Sequence, residues 1–192
     1  MKKDAIITLP NSHLRQKSQR VHVITDETRQ LVADMTSASI DWENSRPHEI
    51  SAALAAVQID QLERVVIVRE DFDDKDNRTF IPLINPEIVK YEGQLVSDYE
   101  GCLSVSGRIY GKVPRYSRVR VKALDINGNT IRLKADGFLA RVLQHEIDHC
   151  NGIVFIDRIR DDTSAFYQLD EKGELQPVDY DEYIKTNRIL WD

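Results

Sequence analysis

The residues best equipped for chemistry stand together at Gln144-His145-Glu146-Ile147-Asp148-His149. They spell H-E-x-x-H. On a helix, positions i and i+4 lie on one face, one turn apart. His145 and His149 can therefore turn an imidazole nitrogen toward one ion, and Glu146 can reach a water beside it. This is the pattern of a metal hydrolase, with two ligands and a general base. A surface helix that happens to carry these residues would look the same, so the reading needs a third donor.

Cys102 is the best third donor. It sits in the Gly-containing turn Glu100-Gly101-Cys102-Leu103-Ser104 after a strand, where a thiolate can face a cleft. Two histidines and one cysteine leave a coordination position open for water, the catalytic rather than the closed structural arrangement. Cys150 is a poorer donor. Neighbouring residues on a helix point about 100° apart, so it faces away if His149 faces in. It reads as a small buried hydrophobe.

The helix that carries these groups is predicted over about 137–150. Asp136 can cap it, Phe138, Leu139, Val142 and Leu143 give it apolar positions, and Asn151-Gly152 stops it. Upstream, Thr25-Asp26-Glu27-Thr28 starts an amphipathic helix over 26–43, with Leu31, Val32, Met35 and Ala38 at helical spacing. Before it, Pro10 to Arg15 reads as a turn into a short helix. Strands are predicted at 64–69 and 80–91, the second broken by Pro82 and Asn85-Pro86, with a turn at Glu92-Gly93. Residues 117–125 and 130–134 flank Asn127-Gly128, a hairpin signal. Ile153–Ile156 reads as a short strand, 169–175 as a hairpin, and 181–191 as a C-terminal helix docked by Tyr183, Ile184 and Leu190. The small apolar run Ile50 to Gln58 suits close packing. Glu70 to Arg78 is a solvated acidic loop. The whole suggests an α+β fold in one domain, residues 1–192, with mainly antiparallel sheets around the central H-E-x-x-H helix and helices near both ends.

With 192 residues, 41% hydrophobic and 30% charged, the chain can bury a real core. A net charge of −6 argues against a nucleic-acid-binding surface. The basic run Arg108, Lys112, Arg115, Arg118, Arg120 and Lys122 reads as the solvated edge of a hairpin. No apolar run is long enough to span a bilayer, and the N-terminus lacks an export signal, so the expected location is the cytoplasm, without membrane contact. There a structural disulfide between Cys102 and Cys150 is not expected.

With these motifs in hand, the sequence resembles the peptide deformylases. That family carries Gly-x-Gly-x-Ala-Ala-x-Gln, Glu-Gly-Cys-Leu-Ser and Gln-His-Glu-x-Asp-His. The second stands unaltered at Glu100–Ser104 and the third at Gln144–His149. The first is altered: Ser51 and Ala53 hold the glycine positions, while Leu54-Ala55-Ala56-Val57-Gln58 keeps the rest. The resemblance covers about residues 5–160 and leaves a polar extension over about 161–192. It implies removal of the formyl group from N-terminal formylmethionine of new polypeptides. It further implies one divalent ion on Cys102, His145 and His149, ferrous iron in place of zinc, nickel or cobalt. Glu146 would be the base, Gln58 and the Leu103 N–H the oxyanion donors, and Ala53 and Gly101 part of the substrate-binding surface. The partners implied are an N-formylmethionyl peptide and the ribosome near its exit tunnel, with no sequence-specific nucleic-acid binding.

Two other readings compete. A catalytically silent relative would bind peptide N-termini without hydrolysis; only Ser51 and Ala53 favour it. A metallopeptidase would share H-E-x-x-H, but such enzymes take a downstream third ligand, and His13, His22 and His48 complete no familiar set.

Overall fold

Runs rich in Val, Ile and Tyr favour strands. In the computed structural model, which describes residues 1–46 and 49–191, seven strands join in one sheet whose pairings are antiparallel. Pro47 and His48 lie outside the described residues, and with them the reading of His48 as no part of a ligand set. The strands are β1 (Ala53–Ala55), β2 (Val65–Arg69), β3 (Phe80–Glu100), β4 (Ile109–Leu124), β5 (Thr130–Asp136), β6 (Phe166–Leu169) and β7 (Leu175–Pro177). Their order is β1-β2-β3-β4-β6-β7, with β5 also on β4. The long β4 serves two partners on different parts of its length. Its residues 118–124 pair with β5 and its residues 109–111 with β6.

Two helices pack on this sheet. α1 (Asp26–Asn44) starts after Thr25, whose backbone N–H donates to the Thr28 hydroxyl at 3.3 Å. Its Leu31, Met35 and Ala38 bury against Leu54, Ile67 and Ile84. α2 (Gly137–Cys150) follows β5 without a loop and is buried from Ala140 to Cys150. Leu143, Ile147 and Cys150 pack on Val66, Val119 and Val121. Asp136 occupies the cap position, but its side chain makes no cap hydrogen bond. The stop is the expected one. Gly152 takes φ +76°, and the Gly152 and Ile153 N–H groups return to the His149 and Asp148 carbonyls.

Several expectations need correction. β3 runs unbroken through 80–100, because bulges absorb its irregular residues. Its register with β4 shifts around Asn85-Pro86 and around Gly93, where φ is +54° at Asn85 and +79° at Gly93. Glu92-Gly93 is therefore a bulge, not a turn. Ile153–Ile156 is not a strand. A 3-10 helix forms at Phe155–Ile159, since the Asp157 carboxylate accepts the Val154 N–H at 2.8 Å and the Asp157 N–H returns to Val154 O. The C-terminal helix is two single turns, α3 (Tyr180–Tyr183) and α4 (Arg188–Trp191). Ile184 and Leu190 dock as expected among Phe155 and Phe166, whereas Tyr183 is exposed. In the basic run, Lys112, Arg118, Arg120 and Lys122 are exposed, but Arg115 is buried.

The approach to β1 is fixed by a buried polar cluster. Ser51 Oγ lies 2.7 Å from Ser39 Oγ of α1. The Ser51 N–H donates to Glu43 at 3.0 Å, and Arg69 Nε donates to Ser51 O at 3.2 Å. Arg69 and Glu43 pair directly, with side chains 0% and 1% exposed. Breaking such a pair strands a charge, whereas removing both members need not. Arg69→Met alone should cost about 3–5 kcal/mol of stability, and Glu43→Leu/Arg69→Met should recover more than half of it. Urea unfolding checks both; a single-variant loss below about 1 kcal/mol would contradict the pairing.

Candidate metal centre

Cys102 lies two residues beyond the end of β3, in a turn closed by the Val105 N–H on Cys102 O at 3.1 Å. The Ser104 N–H approaches its sulfur at 3.4 Å. α2 brings His145 and His149 beside it, as i, i+4 spacing requires, with ring centres 5.0 Å apart. Cys102 Sγ stands 3.2 Å from His149 Nε2, and one donor atom from each of the three residues lies within 4.8 Å of the others. Cys150 faces the apolar core instead, and burial pushes its thiol up to about 12. His22 is exposed, and half-buried His13 pairs with Asp60 at 2.6 Å; neither joins the donor cluster.

His145 is oriented from behind. Its Nδ1 lies 2.9 Å from Glu100 Oε2, which leaves Nε2 for an ion. Glu100 is held in turn by Arg115 Nε at 2.9 Å and Arg141 Nη1 at 2.7 Å. Arg115 also binds Asp148, which pairs with Arg158. Burial alone would hinder ionisation of Glu100, but hydrogen bonds from His145 and Arg115 outweigh it and hold the carboxyl far below its usual range. The same carboxylate and the Cys102 sulfur override burial at His145 and raise it well above normal. His149 goes the other way, held well below normal by burial and by the neighbouring His145 charge.

Glu146 lies beside this cluster on the cavity wall. Burial pushes its carboxyl up to about 7. Its Oε2 is buried without a partner among the described residues, as is His149 Nδ1. Gln58, in the 3-10 helix Ala56–Ile59, accepts the Ala55 N–H on Oε1 at 2.9 Å. That bond turns Nε2 toward Ser104 Oγ, at 3.1 Å, and Cys102 Sγ, at 3.5 Å. The Leu103 N–H donates to no described residue. Ala53, Gln58, Gly101, Cys102, Leu103, His145 and Glu146 all line one cavity of about 680 Å³; His149 is fully buried and is not part of the lining. A Cβ on Gly101 would meet the Tyr110 ring at 2.7 Å, so any larger residue there would have to displace that ring. Ala53 has no positive φ, so alanine costs little where the motif has glycine.

The donor set fits a cation: a thiol and two imidazoles converge, and the backing carboxylate fixes one ring. Acyl chemistry is also within its reach, since a carboxylate of raised basicity, the Gln58 amide and Leu103 line the same cavity. Sequence reasoning missed Glu100, Arg115, Arg141, Asp148 and Ser104 as supports. Glu100 carried one signal, its place two residues before Cys102 in the same short motif.

Comparison with known proteins agrees. The family model described as polypeptide deformylase matches residues 3–165. A peptide deformylase of Thermomicrobium roseum is 45% identical over 88% of this chain and 93% of its own length. One of Halothermothrix orenii is 42% identical over 76% and 86%. The crystal structure of a peptide deformylase from Synechococcus elongatus in complex with actinonin superposes with a TM-score of 0.72 at 37% identity, over 80% of this chain and 78% of that one. The convergent Cys-His-His donors, the buried glutamate beside them and these likenesses have one explanation: the chain belongs to the polypeptide deformylase family.

Proposed function

We propose that this chain, as one catalytic domain, hydrolyses the formyl amide of N-formylmethionyl peptides and releases formate. The observation that carries the reading is the convergence of Cys102, His145 and His149 beside Glu146 and Gln58 on one cavity. Cys102, His145 and His149 would hold the ion. A divalent cation there supplies Lewis acidity, which makes water a nucleophile near neutral pH and polarises the formyl carbonyl. We assign ferrous iron; zinc, nickel and cobalt suit the same donors. The expected setting is the cytoplasm, on new chains near the ribosomal exit; no described helix is long and apolar enough to cross a membrane.

Glu146 takes the proton of the attacking water and later delivers it to the leaving amine. Its raised carboxyl suits that task, and a nearby cation would draw it back down. Gln58 Nε2 and the Leu103 N–H donate to the tetrahedral oxyanion. Gln58 is a sound choice because it donates without a charge, and its Oε1 is already fixed by Ala55. The extended segment at Ala53 and the closely packed Gly101 wall let a peptide backbone approach.

Protein loaded anaerobically with ferrous iron should release formate from formyl-Met-Ala-Ser. Glu146→Ala should lower kcat by about 10²–10⁴-fold while still binding the metal. A metal-loaded parent that releases no formate would refute the reading and favour a silent relative. Glu100→Gln should weaken metal affinity by about 10–100-fold, measured by competition with a chelator. An unchanged affinity would show that His145 does not need its carboxylate.

A further inference from the structure

At about 680 Å³, the cavity has room for peptide beyond the formylmethionine. Most charges in its wall are matched. Arg141 binds Glu100 at 2.7 Å, Arg46 binds Glu49 at 3.3 Å, and Glu49 also accepts from the Tyr110 hydroxyl at 2.8 Å. Lys3 is exposed at the rim. Arg108 differs from all of these. It is half-buried in the cavity wall, and no carboxylate among the described residues lies within 4.0 Å of it. Its guanidinium reaches only Asp170 O, at 3.5 Å, the outer limit of a hydrogen bond.

The backbone makes the same residue costly. Arg108 takes φ +57°, directly after Gly107 at +81°. Glycine would adopt this conformation without the penalty that a side chain carries. The turn is nonetheless pinned, since the Leu169 N–H donates to Arg108 O at 3.0 Å. A residue with a strained, anchored backbone and a guanidinium without a carboxylate partner among the described residues therefore stands in the cavity wall six residues after Cys102.

We infer that Arg108 is a specificity residue that favours formylated peptides with a carboxylate side chain on the first or second residue after formylmethionine. The inference rests on the deformylase reading above. A guanidinium pairs with carboxylate through two parallel hydrogen bonds and repels a lysine at the same place. For a half-exposed pair the expected preference is about twofold to fivefold in kcat/KM, and it shrinks with salt.

The test compares C-terminally amidated formyl-Met-Ala-Ser, formyl-Met-Asp-Ser, formyl-Met-Ala-Asp and formyl-Met-Lys-Ser on the iron-loaded parent and on Arg108→Gly. Amidation removes the terminal carboxylate; unamidated formyl-Met-Ala-Ser measures its effect separately. The expected result is faster turnover of an aspartate peptide than of the lysine peptide by the parent, a ratio near one in the variant, and a melting temperature equal or higher in the variant. Ratios that are flat in the parent, or equal in parent and variant, would overturn the inference while formate release upheld the deformylase reading. A benefit confined to the terminal carboxylate, or a lower melting temperature in Arg108→Gly, would also overturn it. No formate from any peptide would overturn both.

Discussion

The contact on which the centre depends is the bond between Glu100 and His145. It joins the last residue of β3 to the middle of α2, the two elements that deliver the metal donors. Cys102 follows Glu100 by two residues, and His149 follows His145 by one turn. Fixing the first pair therefore fixes the distance between thiol and imidazoles. A buried carboxylate next to one histidine would be poorly stabilised by that bond alone. Arg115 from β4 and Arg141 from α2 complete its hydrogen bonds, and Asp148 shares Arg115. The network is thus a brace across three elements, built from charges that would each be costly alone.

The sheet explains how the braced elements meet. β3 and β4 are 21 and 16 residues long, and bulges let them twist without losing register altogether. β5 returns along β4 and passes directly into α2, so the helix is laid across the sheet that ends in Glu100. Elsewhere along the cavity wall, Ser39, Glu43 and Arg69 hold Ser51, which stands between the lining residues Ile50 and Ala52. The serine at a position where the motif has glycine is consequently filled space with a hydrogen-bond partner, not a void or a clash.

What was legible in the sequence was local. α1 and α2 announced themselves through periodicity, a Thr25 cap and the Asn151-Gly152 stop, and the β4–β5 hairpin through Asn127-Gly128. The helical spacing of His145 and His149 defined half the centre. Long-range partners were not legible. Arg115 shares the inward parity of Val113, Val119 and Val121 on β4, but as one charge in a basic run it reads with its solvated neighbours Arg118 and Arg120, and its partners Glu100 and Asp148 lie far off in sequence. Arg69 reads as the polar end of a strand, but Glu43 lies across from it, 26 residues away in sequence. Gly93 misled for a different reason: a glycine with positive φ serves a bulge as readily as a turn, and only the partner strand decides. Asp157 redirected an apolar run into a 3-10 helix through one carboxylate on one N–H.

The distribution of charge also separates the carboxylates by role. Glu100 is bound by a histidine and two arginines, Asp148 by two arginines, and Glu49 by Arg46 and the Tyr110 hydroxyl. Each of these is committed to its cations or donors and is poorly placed to exchange a proton with substrate. Glu146 has no such partners. One of its oxygens is buried and unpaired, and burial pushes its carboxyl up to about 7. Glu100 and Glu146, which line the same cavity, are thereby driven in opposite directions by their surroundings. The brace around the Cys-His-His donors engages Arg115, Arg141 and Arg158, and Glu146 alone of these four carboxylates is left without an arginine or hydroxyl partner among the described residues, as the proposed base role requires.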